Sequence, residues 1–201
     1  MSDDAYRGRE QTLIKHFVLK HYVETAAVIT GSSWSAFTYV DGFAGIWRSR
    51  KEDGQDSSPV IVLKSLLDVQ SILRRRGKEL TLKCVFVEKD RKAFARLQQC
   101  VAPYRDRVEV LTLNKGLEEA IDSITRFASP GFTLSFIDPT GWTGLGLLKI
   151  QPLLRLTGEV LINFMYDHIN RFIHSDHGLG WDDLFGGDGW KNTLFVETRA
   201  A

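Results

Sequence analysis

Apolar runs in this chain repeatedly stop on a residue that can bind or ionise. Asp41 does so in "YVDGFAG", Glu88 in "VFVEKD", Asn114 in "LTLNKG" and Asp138 in "SFIDPTGW", while "LINFMYD" brings Asn163 and then Asp167. Carboxylates set side by side repel and lose hydration, so a purely structural framework has no reason to collect them at one edge. Each also has a chemical use. Gly42 and Gly45, around Phe43, allow a ligand to lie against bare backbone beside a helix terminus. An acid ending the second strand can take both hydroxyls of a ribose in two charge-assisted bonds, and Glu88 stands there. Taken singly, an aspartate at a strand end reads equally well as the cap of the next helix; the joint pattern favours a site.

These residues need strands and helices in alternation to bring them together. The spacing predicts a first helix over Glu10 to Ile29, with Leu13, Ile14, Phe17, Val18 and His21 on its apolar face. Strand-like runs follow at 36–45, 82–90, 107–114, 132–142 (a strand and its turn) and 159–167. Helices between them start at Ser58–Pro59, with the hydroxyl as cap, near Ala93, near Leu117 and near Leu148. Each strand is almost uniformly apolar, as expected when helices cover both faces. Right-handed crossovers then align the carboxyl ends on one rim, where open α/β sheets bind ligands. Residues 1–35 read as a helical segment packed on the core, 36–167 as the α/β core, and 168–201 as a helical segment, a truncated C-terminal part of the same domain.

Composition narrows the classes. A chain of 201 residues with 43% hydrophobic and 25% charged residues suits one globular α/β domain. Lys and Arg number 26 against 25 acids, which argues against a protein built wholly to bind polyanions. Cys84 and Cys100 stand far apart, and the five histidines show no metal-ligand spacing, so no metal site is expected. The polar start and the lack of a long apolar run lead to an expectation of a cytoplasmic chain with no membrane partner. The basic run Arg74-Arg75-Arg76 reads as a solvated helix end, and His16 and His21 read as packing residues. A nicotinamide-binding reading is disfavoured because "DGFAG" lacks the G-x-G-x-x-G spacing. Nothing in the spacing selects a metal-dependent nuclease built on Asp41, Glu88 and Asp138.

"YVDGFAG", "FVEKD", "FIDPTGW" and "LINFMYDHINRF", in that order, resemble the three-Cys-motif partner protein family; "KHFVLKHYV" and "LFGGDGW" resemble it too. The resemblance covers residues 12–195. It implies the Rossmann-like fold of S-adenosylmethionine-dependent methyltransferases, a companion protein with a three-cysteine motif, and S-adenosylmethionine as cofactor. By motif, Asp41, Gly42, Phe43 and Gly45 would line the methionine end, Glu88 would hold the ribose and Asn114 would lie near the adenine. Asp138 and Pro139 would face the acceptor, since "DP" occupies the place of the D-P-P-aromatic motif of amino-group methyltransferases. That implies transfer to an amino group, with nucleic acid as one substrate class. Trp142 could stack on a flipped-out base, and Asn163 could touch the acceptor.

The chain departs from these patterns at Ile46 and Trp47, where related loops place a second glycine, and at Thr140, where a bulky residue is usual. The fold expected is thus a parallel sheet of about five strands with helices on both faces, lacking the hairpin of sixth and seventh strands. An exposed apolar fifth strand would then form the edge, which makes a non-catalytic, partner-binding subunit the alternative to an enzyme.

Overall fold

The computed structural model describes residues 10–45, 57–139, 144–164 and 180–191, with side chains from His16 onward. The elements are α1 (Glu10–Gly31), β1 (Ala36–Asp41), α2 (Ser58–Arg75), β2 (Thr81–Val87), α3 (Arg91–Val101), β3 (Glu109–Leu113), α4 (Leu117–Ala128), β4 (Phe132–Ile137), α5 (Leu147–Leu154), β5 (Gly158–Ile162) and α6 (Trp181–Phe185). All strand pairs are parallel, in the order β3-β2-β1-β4-β5. This is the doubly wound, Rossmann-like arrangement: the chain winds outward from β1 to β3, then returns and winds the other way from β4. In doubly wound sheets such a reversal, here between the carboxyl ends of β1 and β4, is where a ligand crevice forms.

Both sheet faces are covered. Phe37 and Tyr39 of β1, Leu82, Cys84 and Phe86 of β2 and Leu134 and Phe136 of β4 form one core with Leu19, Val23 and Ala27 of α1, Leu63, Leu66 and Leu73 of α2, and Leu97 of α3. Val40, Val85, Val87 and Ile137 face the opposite way, onto Ile121 and Ile124 of α4, Ile150 of α5, and Trp181 and Leu184 of α6. Burial of each large apolar side chain contributes roughly 1.5–3 kcal/mol before chain entropy is subtracted, so strands covered on both faces read as unbroken apolar runs. Gly158 opens β5 at a positive φ, and any Cβ there would overlap the Thr133 carbonyl. Only glycine lets the two backbones meet at that point.

The structure corrects the reading of the first helix. Phe17 and Val18 are more than half exposed, and the buried face instead carries His16, Leu19, Val23 and Ala27. Apolar residues occur all round α1, so spacing alone could not choose the packed side. The start of α2 also differs. Ser57, not Ser58, is the N-cap residue, its side chain makes no capping bond, and Pro59 sits one position further in. β5 is bounded at Ile162, and residues 165–179 lie outside the described part. β5 forms one edge of the sheet among the described residues. No helix among the described residues is long and apolar enough to cross a membrane.

Candidate functional site

Side chains alternate along a strand, so each strand end carries its final side chain to a definite face. Counting from the core residues, Asp41 follows Phe37 and Tyr39; Glu88 follows Cys84 and Phe86; Asp138 follows Leu134 and Phe136. Asn114 follows Val110 and Asn163 follows Leu161, both packed on that same core. All five polar residues therefore fall on the face of the sheet that α1, α2 and α3 cover. Asp41 is the last residue of β1, and each of the others is the first residue after its strand. Asp41 and Asp138 flank the crevice where the winding reverses.

The turn after β1 is tied on both sides. Gly42 N–H donates to the Phe136 carbonyl at 3.0 Å and Ala44 N–H to the Val87 carbonyl at 2.8 Å. Asp41, 2% exposed, accepts the Phe43 N–H on Oδ1 at 3.0 Å, a tight turn built by the carboxylate itself. A Cβ on Gly42 would lie 3.1 Å from Leu117 Cδ2, so α4 already fills the space beside this glycine. Phe43 and Gly45 are half-buried.

Glu88 is 7% exposed, and its Oε1 accepts the Asp90 N–H at 2.6 Å. Burial raises its pKa above the ordinary glutamate range, against the pull of that hydrogen bond. Asn114 donates from Nδ2 to the Glu88 carbonyl at 2.8 Å and to the Lys89 carbonyl at 3.1 Å. It clamps the turn that carries Glu88. Asp90 in turn caps α3, accepting from Lys92 N–H and Ala93 N–H. The helix therefore starts two residues earlier than its apolar pattern predicts.

On the other side of the crevice, Asp138 Oδ1 accepts from Asn163 Nδ2 at 2.6 Å, and Asn163 N–H donates to the Ile137 carbonyl at 2.8 Å. The β5 amide thus fixes the β4 carboxylate. Asp138 is half-buried and Pro139 buried. Trp142, Thr140, Ile46 and Trp47 lie outside the described residues, as does Asp167. Among the described residues no group of three or more His, Cys, Asp or Glu side chains could hold a metal ion.

Sequence reasoning missed two features of this face. Tyr39 is fully buried two residues before Asp41, and its hydroxyl has no hydrogen-bond partner among the described residues; Ser57 Oγ, at the start of α2, is also buried without one there. Burial, then the negative charge of Asp41, hold the Tyr39 phenol well above its ordinary pKa. His16, also buried, meets Ser58 Oγ through Nε2 at 3.1 Å. The Ser-Ser-Pro run could have drawn attention to a helix start with a serine to spare.

No family model matches the chain, and no curated protein matches it. Solved structures resemble it in part, two methyltransferases among them. One is yhhF of Escherichia coli, named as a methyltransferase, with 16% identity, a TM-score of 0.39 and coverage of 71% of this chain and 63% of that one. The other is an S-adenosylmethionine-dependent methyltransferase of Agrobacterium tumefaciens, with 14% identity, a TM-score of 0.34 and coverage of 65% and 32%. This chain therefore spans less than two thirds of the length of either.

Proposed function

We propose that the chain binds S-adenosylmethionine across the ends of β1, β2 and β4 and directs methyl transfer to an amino group held at Asp138. The observation that carries this reading is the set of five polar strand-end residues on one face, with Asp138 fixed by the Asn163 amide. The residues also fit the cofactor in a second respect. Two hydroxyls, that of Tyr39 on this face and that of Ser57 at the start of α2, are buried without partners among the described residues, and such groups are costly unless a ligand satisfies them.

When bound, the cofactor supplies an electrophilic methyl group on a sulfonium. Glu88 takes the ribose hydroxyls, its carboxylate already oriented by the Asp90 N–H. Asn114 holds the Glu88 turn rigid beside the adenine. Asp41 opposes the ammonium of the amino-acid end. An exocyclic amine on a nucleic-acid base is a weak nucleophile because its lone pair is delocalised into the ring. Asp138 and the Pro139 carbonyl accept its two N–H bonds and turn the lone pair toward the methyl carbon. With the cofactor held there it would give up its methyl group and leave as a neutral thioether, and Asp138 or solvent would take up the surplus amine proton. Proline suits this role, because it offers a carbonyl with no competing N–H and keeps the preceding aspartate extended.

Isothermal titration with S-adenosylmethionine and its demethylated product tests the cofactor, and labelled-methyl transfer to RNA, DNA and protein pools tests the acceptor. Glu88→Ala should weaken both ligands by at least tenfold, and Asp138→Ala should abolish transfer while leaving binding intact. Absence of heat with either ligand refutes the cofactor assignment, and transfer that survives Asp138→Ala refutes the acceptor assignment.

A second reading, a subunit that holds a three-Cys-motif companion protein without transferring methyl, draws on the exposed Phe17, Val18 and Ile29 of α1. Native mass spectrometry of the co-expressed pair separates the two: a stable complex without methyl transfer, indifferent to Asp138→Ala, favours the scaffold.

A further inference from the structure

The two edges of the sheet are finished differently. At β3, the Leu113 carbonyl accepts from Glu88 N–H, so alternate residues face β2, while Val110 and Thr112 turn their backbone groups outward. Arg105 stands over them, its guanidinium donating to the Val110 carbonyl at 2.9 Å and to Thr112 Oγ1 at 3.3 Å. A cation held across an edge blocks the addition of a further strand. At β5, the Thr157 carbonyl accepts from Thr133 N–H, and Asn163 N–H donates to the Ile137 carbonyl. Gly158, Val160 and Ile162 therefore point their backbone groups away from β4, and among the described residues no hydrogen bond meets them. The strand carries one charge, Glu159, whose carboxylate accepts the Tyr22 hydroxyl of α1 at 2.6 Å.

Helices on both faces overhang this open edge with apolar side chains. Tyr22 fixes which flank of α1 lies above β5, and Val18 and Ile29 share that flank at helical spacing. They are 55% and 64% exposed. On the other face, Lys149 of α5 pairs with Glu118 of α4 at 3.0 Å, which leaves the half-exposed Leu154 on the flank away from α4. Ile162 is itself exposed. At these fractions of ordinary residue areas the five side chains offer roughly 450 Å² per copy, so that two copies with their strand backbones would bury about 1,000 Å², enough for a specific interface.

The strand is also complementary to itself. Laid antiparallel about a two-fold axis through Val160, its outward groups meet those of Val160 in the other copy, and those of Gly158 meet Ile162, so all three residues are paired. This register sets valine beside valine and isoleucine beside glycine. It also puts Glu159 opposite Leu161 rather than opposite its own mate, so like charges do not face each other.

We propose that β5 is a dimerisation edge, through which two copies of this chain join antiparallel into one continuous sheet, with α1 packing on α1 through Val18, Tyr22 and Ile29. The inference is independent of any cofactor. It makes the two carboxyl rims open at opposite ends of the joined sheet, and it holds the strand that carries Asn163 from both sides.

Sedimentation velocity of the full chain over a wide concentration range tests this. The wild type should pass from monomer to dimer. Val160→Pro removes an outward N–H and none that bonds to β4, and it should stay monomeric with the circular dichroism spectrum of the wild type. Val18→Lys combined with Ile29→Lys changes exposed helix positions alone. It should weaken the dimer about tenfold or more, since each lysine loses hydration in the contact, and it decides the matter if Val160→Pro fails to fold. A wild type that stays monomeric refutes the proposal, as does a dimer that neither variant weakens. Amide exchange identifies any other occupant. Protected Val160 and Ile162 amides in a monomer mean that the edge is covered within one chain, and protection gained only with a co-expressed companion protein assigns the edge to that protein; either result overturns self-pairing.

Discussion

Replacing Gly42 by alanine puts a methyl group where α4 already stands. The new Cβ would lie 3.1 Å from Leu117 Cδ2 and 3.2 Å from Cδ1, closer than ordinary van der Waals contact. Leu117 is 2% exposed and packs with Val40, Val85 and Ile121, so it can yield only a little. Overpacking of this kind costs about 1–3 kcal/mol. Alanine also narrows the unfolded ensemble, which returns about 0.4–1 kcal/mol where the backbone tolerates it. Gly42 is not among the glycines of positive φ, so that gain applies. The balance is a loss of about 1 kcal/mol. Leu117→Ala alone opens a cavity and should cost about 2–5 kcal/mol. In the double variant the alanine methyl enters that cavity, so the two losses should fall short of their sum by about 1 kcal/mol. Urea denaturation of the four proteins, with m-values compared, measures this coupling. Additivity within about 0.4 kcal/mol refutes the packing account of Gly42. So would a Gly42→Ala variant of unchanged stability that loses nucleoside affinity, since the glycine would then serve ligand approach.

Glu88→Gln tests the raised carboxyl pKa. A pKa higher in the folded than in the unfolded state means that the group's stability contribution is fully present below the unfolded glutamate value and is lost as pH rises through the folded value. The wild type should therefore lose stability relative to Glu88→Gln as pH climbs through that window, and parallel stability–pH curves would contradict the buried setting. Asn114→Ala removes two hydrogen bonds to the Glu88 and Lys89 carbonyls. It should cost about 1 kcal/mol, because water reaches part of the turn, and should weaken the proposed nucleoside binding; calorimetry that finds binding unaffected would separate Asn114 from the proposed ribose site. Asn163→Ala frees the Asp138 carboxylate and should lower the methyl-transfer kcat about tenfold with KM for the cofactor unchanged; a change in cofactor KM alone would assign Asn163 elsewhere.

The strands and their parallel arrangement were legible because both sheet faces are apolar and each crossover carries a helix pattern of its own. The acids at their ends were legible for the same reason, as polar residues that close apolar runs. What Asn114 and Asn163 do was not. Both reach a neighbouring strand's end, and neither contact exists until β3 lies beside β2 and β5 beside β4. The packed face of α1 was hidden by Phe17, Val18 and Ile29, as apolar as the Leu19, Val23 and Ala27 that are buried. Ser-Ser-Pro allowed either serine to start α2, and tertiary contact with His16 settles the Ser58 hydroxyl.

Because every rim group sits immediately at or after its strand, the sheet acts as a five-channel ruler. Deleting or inserting one residue within β4 would swing Asp138 through half a turn to the side of α4 and α5 and leave Asn163 facing an empty position. Length changes in these strands can therefore survive only in pairs, whereas the connecting segments can grow or shrink without moving a rim group to the other side. Tolerance to indels along this chain should thus follow an even–odd rule in the strands and no such rule between them.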